Sequence, residues 1–279
     1  MENSILVRDL YKRFPGFTLD HVSFRVPKGR IVGFIGENGA GKSTTINLIL
    51  NALKKDGGTV EVLGRDHADP TVRGGVGVVF DACNFPGVFT PRDVERVLAG
   101  VYASWDSQAF HGYLERFALP ERQRVKTFSK GMKMKLAIAG ALAHRPELLI
   151  LDEATAGLDP VIRDEILDIL LDFIQDEEHA VFFSSHITSD IQKVADYVVL
   201  IHQGKIVFEE EKDTLMDSYG ILRCGKGTEV EPEDYIVRRE TGVSAEYLVR
   251  DRAAAGRKYP KAVADAASLE EIMLFYIKG

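Results

Sequence analysis

The stretch Gly36-Glu37-Asn38-Gly39-Ala40-Gly41-Lys42-Ser43-Thr44 constrains this chain more than any other part of it. It fits the pattern G-x-x-x-x-G-K-[ST]. It lies between a compact apolar run, Arg30 to Ile35, and a segment of helical composition, Ser43 to Leu53. Strand, glycine-rich loop and helix in that order form the setting in which such a loop cradles phosphate. Glycines let successive backbone N–H groups converge on phosphate oxygens, and the helix aims its positive dipole end at the same place. Lys42 adds a full charge for the β and γ phosphates, and the Ser43 hydroxyl can take a position on magnesium. A turn that merely caps a helix is the competing account. At average residue usage the string arises by chance in roughly one chain in a hundred of this size. Nucleotide binding is therefore expected, with Gly36, Asn38, Gly39, Ala40, Gly41, Lys42, Ser43 and Thr44 around the phosphates.

Short β-rich stretches, Ile5 to Leu10 and Thr18 to Val26, precede the loop and are punctuated by Pro15-Gly16 and Pro27-Lys28-Gly29, as antiparallel strands are. Further strands are expected at Thr59 to Leu63, Val76 to Phe80, Leu148 to Leu151 and Val181 to Ser184, with a closing hairpin at Val198 to Ile201 and Lys205 to Phe208. Thr90-Pro91 with Asp93 supplies an N-cap, a proline in the first turn and an acid, and opens a helical section. That section runs through Arg92 to Tyr102, Asp106 to Phe117 and Met132 to Ala143. Asp159-Pro160 starts another helix, with Ile162, Ile166, Ile169 and Phe173 on one face. Strands alternating with helices imply an α/β fold with a mostly parallel sheet, an antiparallel β subdomain and an inserted helical subdomain at about 90–145. The ATPase-type domain would span 1–218. The regularity fades from about Tyr219, and a small C-terminal α+β extension over 219–279 is expected, closed by a capping box at Ser268-Leu-Glu-Glu271 before an apolar helix, Ile272 to Ile277.

The run Leu148-Leu-Ile-Leu151-Asp152-Glu153 ends a buried strand with two adjacent acids, at the sheet edge where open α/β folds place ligands. A solvated pair of acids is the better account of such a dipeptide alone. With a phosphate loop in the same chain, Asp152 is expected on magnesium and Glu153 on the attacking water, which needs an acceptor near the γ phosphate. His186, after the strand Val181 to Ser184, can donate to that phosphate, although a lone histidine there is more often simply satisfied.

Formal charge of −7 provides no basic field for nucleic acid, and no nucleic-acid partner is expected. Cys83 and Cys224 are far apart and lack metal-ligand spacing, which suits a reducing cytosol. No apolar run approaches the ~20 residues that cross a bilayer, so any membrane crossing would belong to another chain.

Phe128-Ser129-Lys130-Gly131-Met132, ahead of a helix and upstream of Asp152-Glu153, resembles the signature sequence of ABC ATPases, and Ala156-Gly157-Leu158-Asp159 resembles their D-loop. The order of all motifs over about residues 4 to 215 is similar to that family. The resemblance implies a P-loop NTPase core that binds ATP with magnesium and hydrolyses it. Lys42, Glu153 and His186 would act at the γ phosphate, and Ser43 and Asp152 on the ion. It also implies a homodimer or a heterodimer with a related ATPase subunit, in which Ser129, Gly131 and Asp159 face the nucleotide of the other protomer. Energy would pass to a transmembrane permease on a separate chain, with this protein peripheral on the cytoplasmic face of the cell membrane. A soluble ABC ATPase acting on a nucleic-acid or ribosomal partner is the alternative. Phe14 falls where the family stacks an aromatic on adenine, or it belongs to the core. Cys83 to Phe89 falls at the family's docking groove, or its apolar residues form the small core of the helical subdomain. Lys130 and Met132 depart from the usual signature in a way similar to bacterial exporters of antibiotics and peptides. Asp81 stands where the family has a glutamine that touches magnesium and the transport domain, and it is expected on the ion, the alternative being that it faces solvent or the membrane partner.

Overall fold

A computed structural model describes residues 2–225, 230–241 and 244–279. Its centre is a six-stranded sheet in the order β10-β9-β3-β8-β7-β6. β3 (Ile31–Ile35), β6 (Val76–Val79), β7 (Leu148–Asp152), β8 (Ala180–Ser185) and β9 (Tyr197–His202) run parallel, and β10 (Lys205–Glu211) closes the edge antiparallel to β9. Every residue of β3, β7 and β8 is buried, as continuous apolar strands with both faces covered must be. Alternate side chains divide between two cores. Val32, Phe34, Leu148, Ile150 and Phe182 face one, and Ile31, Ile35, Leu149, Leu151 and Phe183 the other.

The first core is closed by an antiparallel sheet, β2-β1-β4-β5, made of β1 (Asn3–Phe14), β2 (Phe17–Pro27), β4 (Gly57–Val62) and β5 (Arg65–Asp66). Phe24 of that sheet packs on Phe34 and Phe182 with ring centroids 5.5 and 5.3 Å away. Helix α1 (Lys42–Ile49) belongs to the same core but stops short of the expected Leu53. Asn51 takes φ 52°, and Ala52 N–H bonds back to Asn47 O, a left-handed exit that an asparagine supports.

The second core lies under α2 (Pro91–Val101), α3 (Ser107–Arg116), α4 (Lys130–Leu142), α5 (Pro160–Phe173) and α6 (Thr188–Val194). The Thr90 cap forms as expected, with Asp93 closing a capping box. Neither α6 nor α7 (Lys212–Ser218) is anticipated by the periodicity, because seven residues are too few to display it.

Beyond α7, β11 (Gly220–Gly225), β12 (Val237–Thr241), β13 (Ser244–Val249) and β14 (Val263–Ala266) pair antiparallel in the order β12-β13-β11-β14, with α8 (Arg252–Lys258) and α9 (Leu269–Lys278). The Ser268–Glu271 capping box is present. Ile221, Leu269, Ile272 and Phe275 join the apolar cluster that holds Ile191 and Leu215, so the C-terminal α+β segment is packed into the second core.

Candidate functional site

Four chain segments leave the C-terminal edge of the parallel sheet side by side: the glycine loop after β3, Asp81 after β6, Asp152-Glu153 at the end of β7, and His186 after β8. The glycine loop admits no larger residue at Gly36, where a Cβ would stand 2.4 Å from Ile201 O. Gly41 enters α1 at φ 116°, a conformation that side chains rarely take. Helix α1 has no side-chain N-cap, which leaves its first N–H groups for a ligand.

Lys42 is 4% exposed. Its ammonium donates to Gly36 O at 2.7 Å and Glu37 O at 3.2 Å, and lies 3.1 Å from Glu153 Oε1. That last contact is ionic and is not aligned as a hydrogen bond, so Oε1 stays buried without a hydrogen-bond donor. The other oxygen, Oε2, accepts from His186 Nδ1 at 2.5 Å and His186 N–H at 3.3 Å. Glu153 sits at φ 53°, held by its N–H to Ser184 O at 3.1 Å. Ser184 Oγ lies 3.2 Å from the same N–H and donates to Asp152 Oδ1 at 2.6 Å. One buried serine thus orients both acids, a part that the sequence reading does not assign. Its trace in the sequence is the polar pair Ser184-Ser185 closing an otherwise apolar strand before His186.

Two cavities meet at Ser43 and Glu153. One, of about 540 Å³, is lined by Glu37, Asn38, Gly39 and Gly41 to Thr44 of the phosphate loop together with Gly16 and Phe17, while Gly36 and the buried Ala40 lie outside its lining. The other, of about 350 Å³, brings together Ser43, Asn47, Asp81, Asn84, Asp152 and Glu153. The donor set suits a hard cation: a hydroxyl and carboxylates. Among the described residues no group of three His, Cys, Asp or Glu could hold a metal alone. An ion at Ser43 and Asp152 would have to share phosphate oxygens, which is how magnesium is usually held.

Phe14 ends β1, and its ring centroid is 6.4 Å from that of Phe17. Phe17, absent from the sequence reading, is the aromatic that lines the loop cavity, and its ring would meet a Cβ at Gly41. Only its place across the hairpin turn from Phe14 could have flagged it.

Ser129, Gly131 and Asp159 line neither cavity. Ser129 caps α4 by accepting from Met132 N–H at 3.2 Å, and Asp159 caps α5 through Val161 and Ile162 N–H. Both are exposed. Gly131 is buried against α5, where a Cβ would stand 2.3 Å from Ile162 Cδ1.

A separate groove of about 270 Å³ separates the sheet edge from the helical section and is lined by Phe80, Asn84, Phe85, Leu98, Tyr102 and His144 among others. Phe85 and Phe89 are partly buried against the second core, whereas Val88 is 65% exposed. His144 stacks on Tyr102 at 4.0 Å, and burial lowers its pKa from the ordinary imidazole value. Burial likewise raises the pKa of the Cys83 thiol, which precedes Asn84 and Phe85 of this lining in the chain.

Residues 19–156 match the family described as ABC transporter. The bacitracin transport ATP-binding protein BcrA of Bacillus licheniformis is 35% identical over 220 residues, covering 77% of this chain and 72% of that one. The lantibiotic transport ATP-binding protein SrtF of Streptococcus pyogenes is 34% identical over 197 residues, covering 70% and 85%. Among solved structures, an ATP-binding subunit of an ABC transporter superposes with a TM-score of 0.68 at 27% identity, covering 76% of this chain and 91% of that one. The fold is shared too by cbiO1 of Clostridium perfringens, part of the ABC transporter complex cbiONQ, with a TM-score of 0.66 at 22% identity over 76% and 90% of the two chains.

Proposed function

Because the chain belongs to the ATP-binding proteins of ABC transporters, ATPases that hydrolyse ATP to power transport, we propose that it drives export of an antibiotic- or peptide-like cargo through a separate membrane subunit. The observation that carries the chemistry is the junction of two cavities at Ser43 and Glu153, with Lys42, Asp152 and His186 around it.

ATP enters with its phosphates on the α1 N-terminus and takes over the Lys42 ammonium from the loop carbonyls and from Glu153. Ser43, Asp152 and Asp81 would hold magnesium, which supplies charge neutralisation for the phosphates. Glu153, released from Lys42, accepts the proton of the attacking water. An ionised carboxylate only accepts, so His186 Nδ1 donates to it. The protonated ring could donate from Nε2 to a γ-phosphate oxygen at the same time. Phe14 and Phe17 form an aromatic edge for the base. Ser129, Gly131 and Asp159, which are remote from both cavities within one chain, would serve the nucleotide of a second protomer. The exposed N-terminus of α4, already capped by Ser129, suits an anion brought from outside its own chain.

Among the described residues no helix is long and apolar enough to cross a membrane. In this reading the transport partner spans the membrane and this chain sits on its cytoplasmic face, with a helix of the partner in the groove of Phe85, Leu98 and Tyr102. The export reading leans on Lys130 and Met132 in the signature and on the bacitracin and lantibiotic transport relatives. Co-expression with the membrane protein encoded beside it tests the proposal. The purified complex should hydrolyse ATP faster when a cyclic or lanthionine-containing peptide antibiotic is added. A complex that forms but ignores every such peptide rejects the cargo class; absence of a complex rejects the partner.

A further inference from the structure

The signature segment and the turn that carries Glu153 are fastened to each other within one chain. Lys130, the first residue of α4, donates from Nζ to Ala156 O at 2.6 Å. Ala156 N–H in turn donates to Glu153 O at 3.0 Å. Between them stand only Ala154 and Thr155, both fully buried. The clamp therefore closes on the very residue whose amide holds the backbone of Glu153, and Glu153 is itself at φ 53°, a conformation that persists only where the surroundings impose it. Gly157 follows at φ 65°, and a Cβ there would stand 3.0 Å from the Lys130 ammonium, so the chain turns tightly beneath it. Gly131 on Ile162 and the Lys135–Glu165 ion pair bolt the same face of α4 to α5.

We propose that Lys130 is a positioning residue for ATP hydrolysis, holding the Glu153–Gly157 turn so that the Glu153 carboxylate is set for the attacking water. The proposal rests on Glu153 as the hydrolytic carboxylate. It assigns the lysine a use inside its own chain, whereas the proposed function gives its neighbours Ser129 and Gly131 a role towards a second protomer. Movement of the signature helix on the partner's nucleotide would reach Glu153 through this ammonium.

Steady-state turnover of magnesium-ATP by the full chain is the test. In Lys130→Met, kcat should fall ~10- to 100-fold, the scale of a small misplacement of a reacting group, while KM for ATP stays within about twofold. Lys130→Arg should recover most of kcat, because a guanidinium can also donate to the carbonyl. Gly157→Ala, which crowds the ammonium and strains the backbone, should lower kcat in the same way, and adding Lys130→Met to it should cost little more. These two variants keep the test alive if Lys130→Met fails to fold. Unchanged kcat in Lys130→Met overturns the proposal, as does a raised KM at constant kcat, which would make Lys130 a nucleotide-binding residue. Wild-type turnover in Glu153→Gln would overturn the reading beneath it; normal turnover in Lys130→Met beside an inactive Glu153→Gln overturns the lysine's role alone.

Discussion

Helices α1 and α4 both open on a short segment containing glycine, lysine and serine, yet their N-termini are built differently. At α1 the capping position is Gly41, no side chain caps the helix, and the lysine is buried on the loop's own carbonyls. At α4 the capping position is Ser129, which satisfies its own helix, and the lysine reaches away to Ala156. The first is a cradle with the charge inside it. The second is a finished helix start presented to solvent, complete without a ligand. One chain therefore has the parts of a phosphate site at α1, whereas in the proposed reading α4 meets phosphate only when another chain brings it.

The sharpest test of that contrast is Glu153→Gln, which leaves both helix starts intact. Its hydrolysis should fall ~10²- to 10⁴-fold, because the amide cannot take the water's proton, while nucleotide binding persists. Size-exclusion chromatography with ATP should then show a trapped dimer, with the two kinds of helix start facing across the nucleotide. Lys42→Ala attacks the cradle itself. Losing the positively charged side chain that lines it should weaken ATP binding on the order of 30-fold or more in a calorimetric titration, from about 2 kcal/mol of charge-assisted hydrogen bonding. Unchanged affinity would erase the distinction between the two sites. Ser129→Asp, made in the Glu153→Gln background, keeps a capping side chain on α4 but puts an acid where a partner's triphosphate does not tolerate one. Melting temperature should hold, and the ATP concentration needed for dimer should rise about tenfold, near 1.4 kcal/mol. A dimer as tight as before would mean that α4 does not face phosphate.

The smallest effect is expected at Asp81. A carboxylate there repels ATP without magnesium and helps to hold the ion with it, whereas an amide does neither as strongly. ATP affinity should depend on magnesium a few-fold more steeply in the wild type than in Asp81→Gln, and less so as salt rises. An equal magnesium effect in both would remove Asp81 from the metal site.

Much of this was legible in the chain itself. The glycine loop was readable because its chemistry is contiguous, and β3, β7 and β8 because strands buried on both faces are written as unbroken apolar runs. Thr90 and Ser268 announced their helices through capping boxes that formed as expected. Helices α6 and α7 were not legible, being seven residues each, and β11 pairs with β13 and β14 from far along the chain, contacts that leave no local period.

The sequence by itself determined the family, the order of the motifs and which residue types could meet a triphosphate, because each motif is local and each needs particular atoms. Only the tertiary structure decided which of them share a cavity. It joined Ser43 to Asp81, Asp152 and Glu153 in one cavity that neither Ser129 nor Asp159 lines, put Phe17 beside Phe14 and into the loop cavity, and brought Ser184 onto Asp152 and Glu153 and Lys130 onto Ala156 in the turn after them. Such neighbours lie tens of residues apart and meet because parallel strands end at one edge, a fact of sheet order that no stretch of sequence contains.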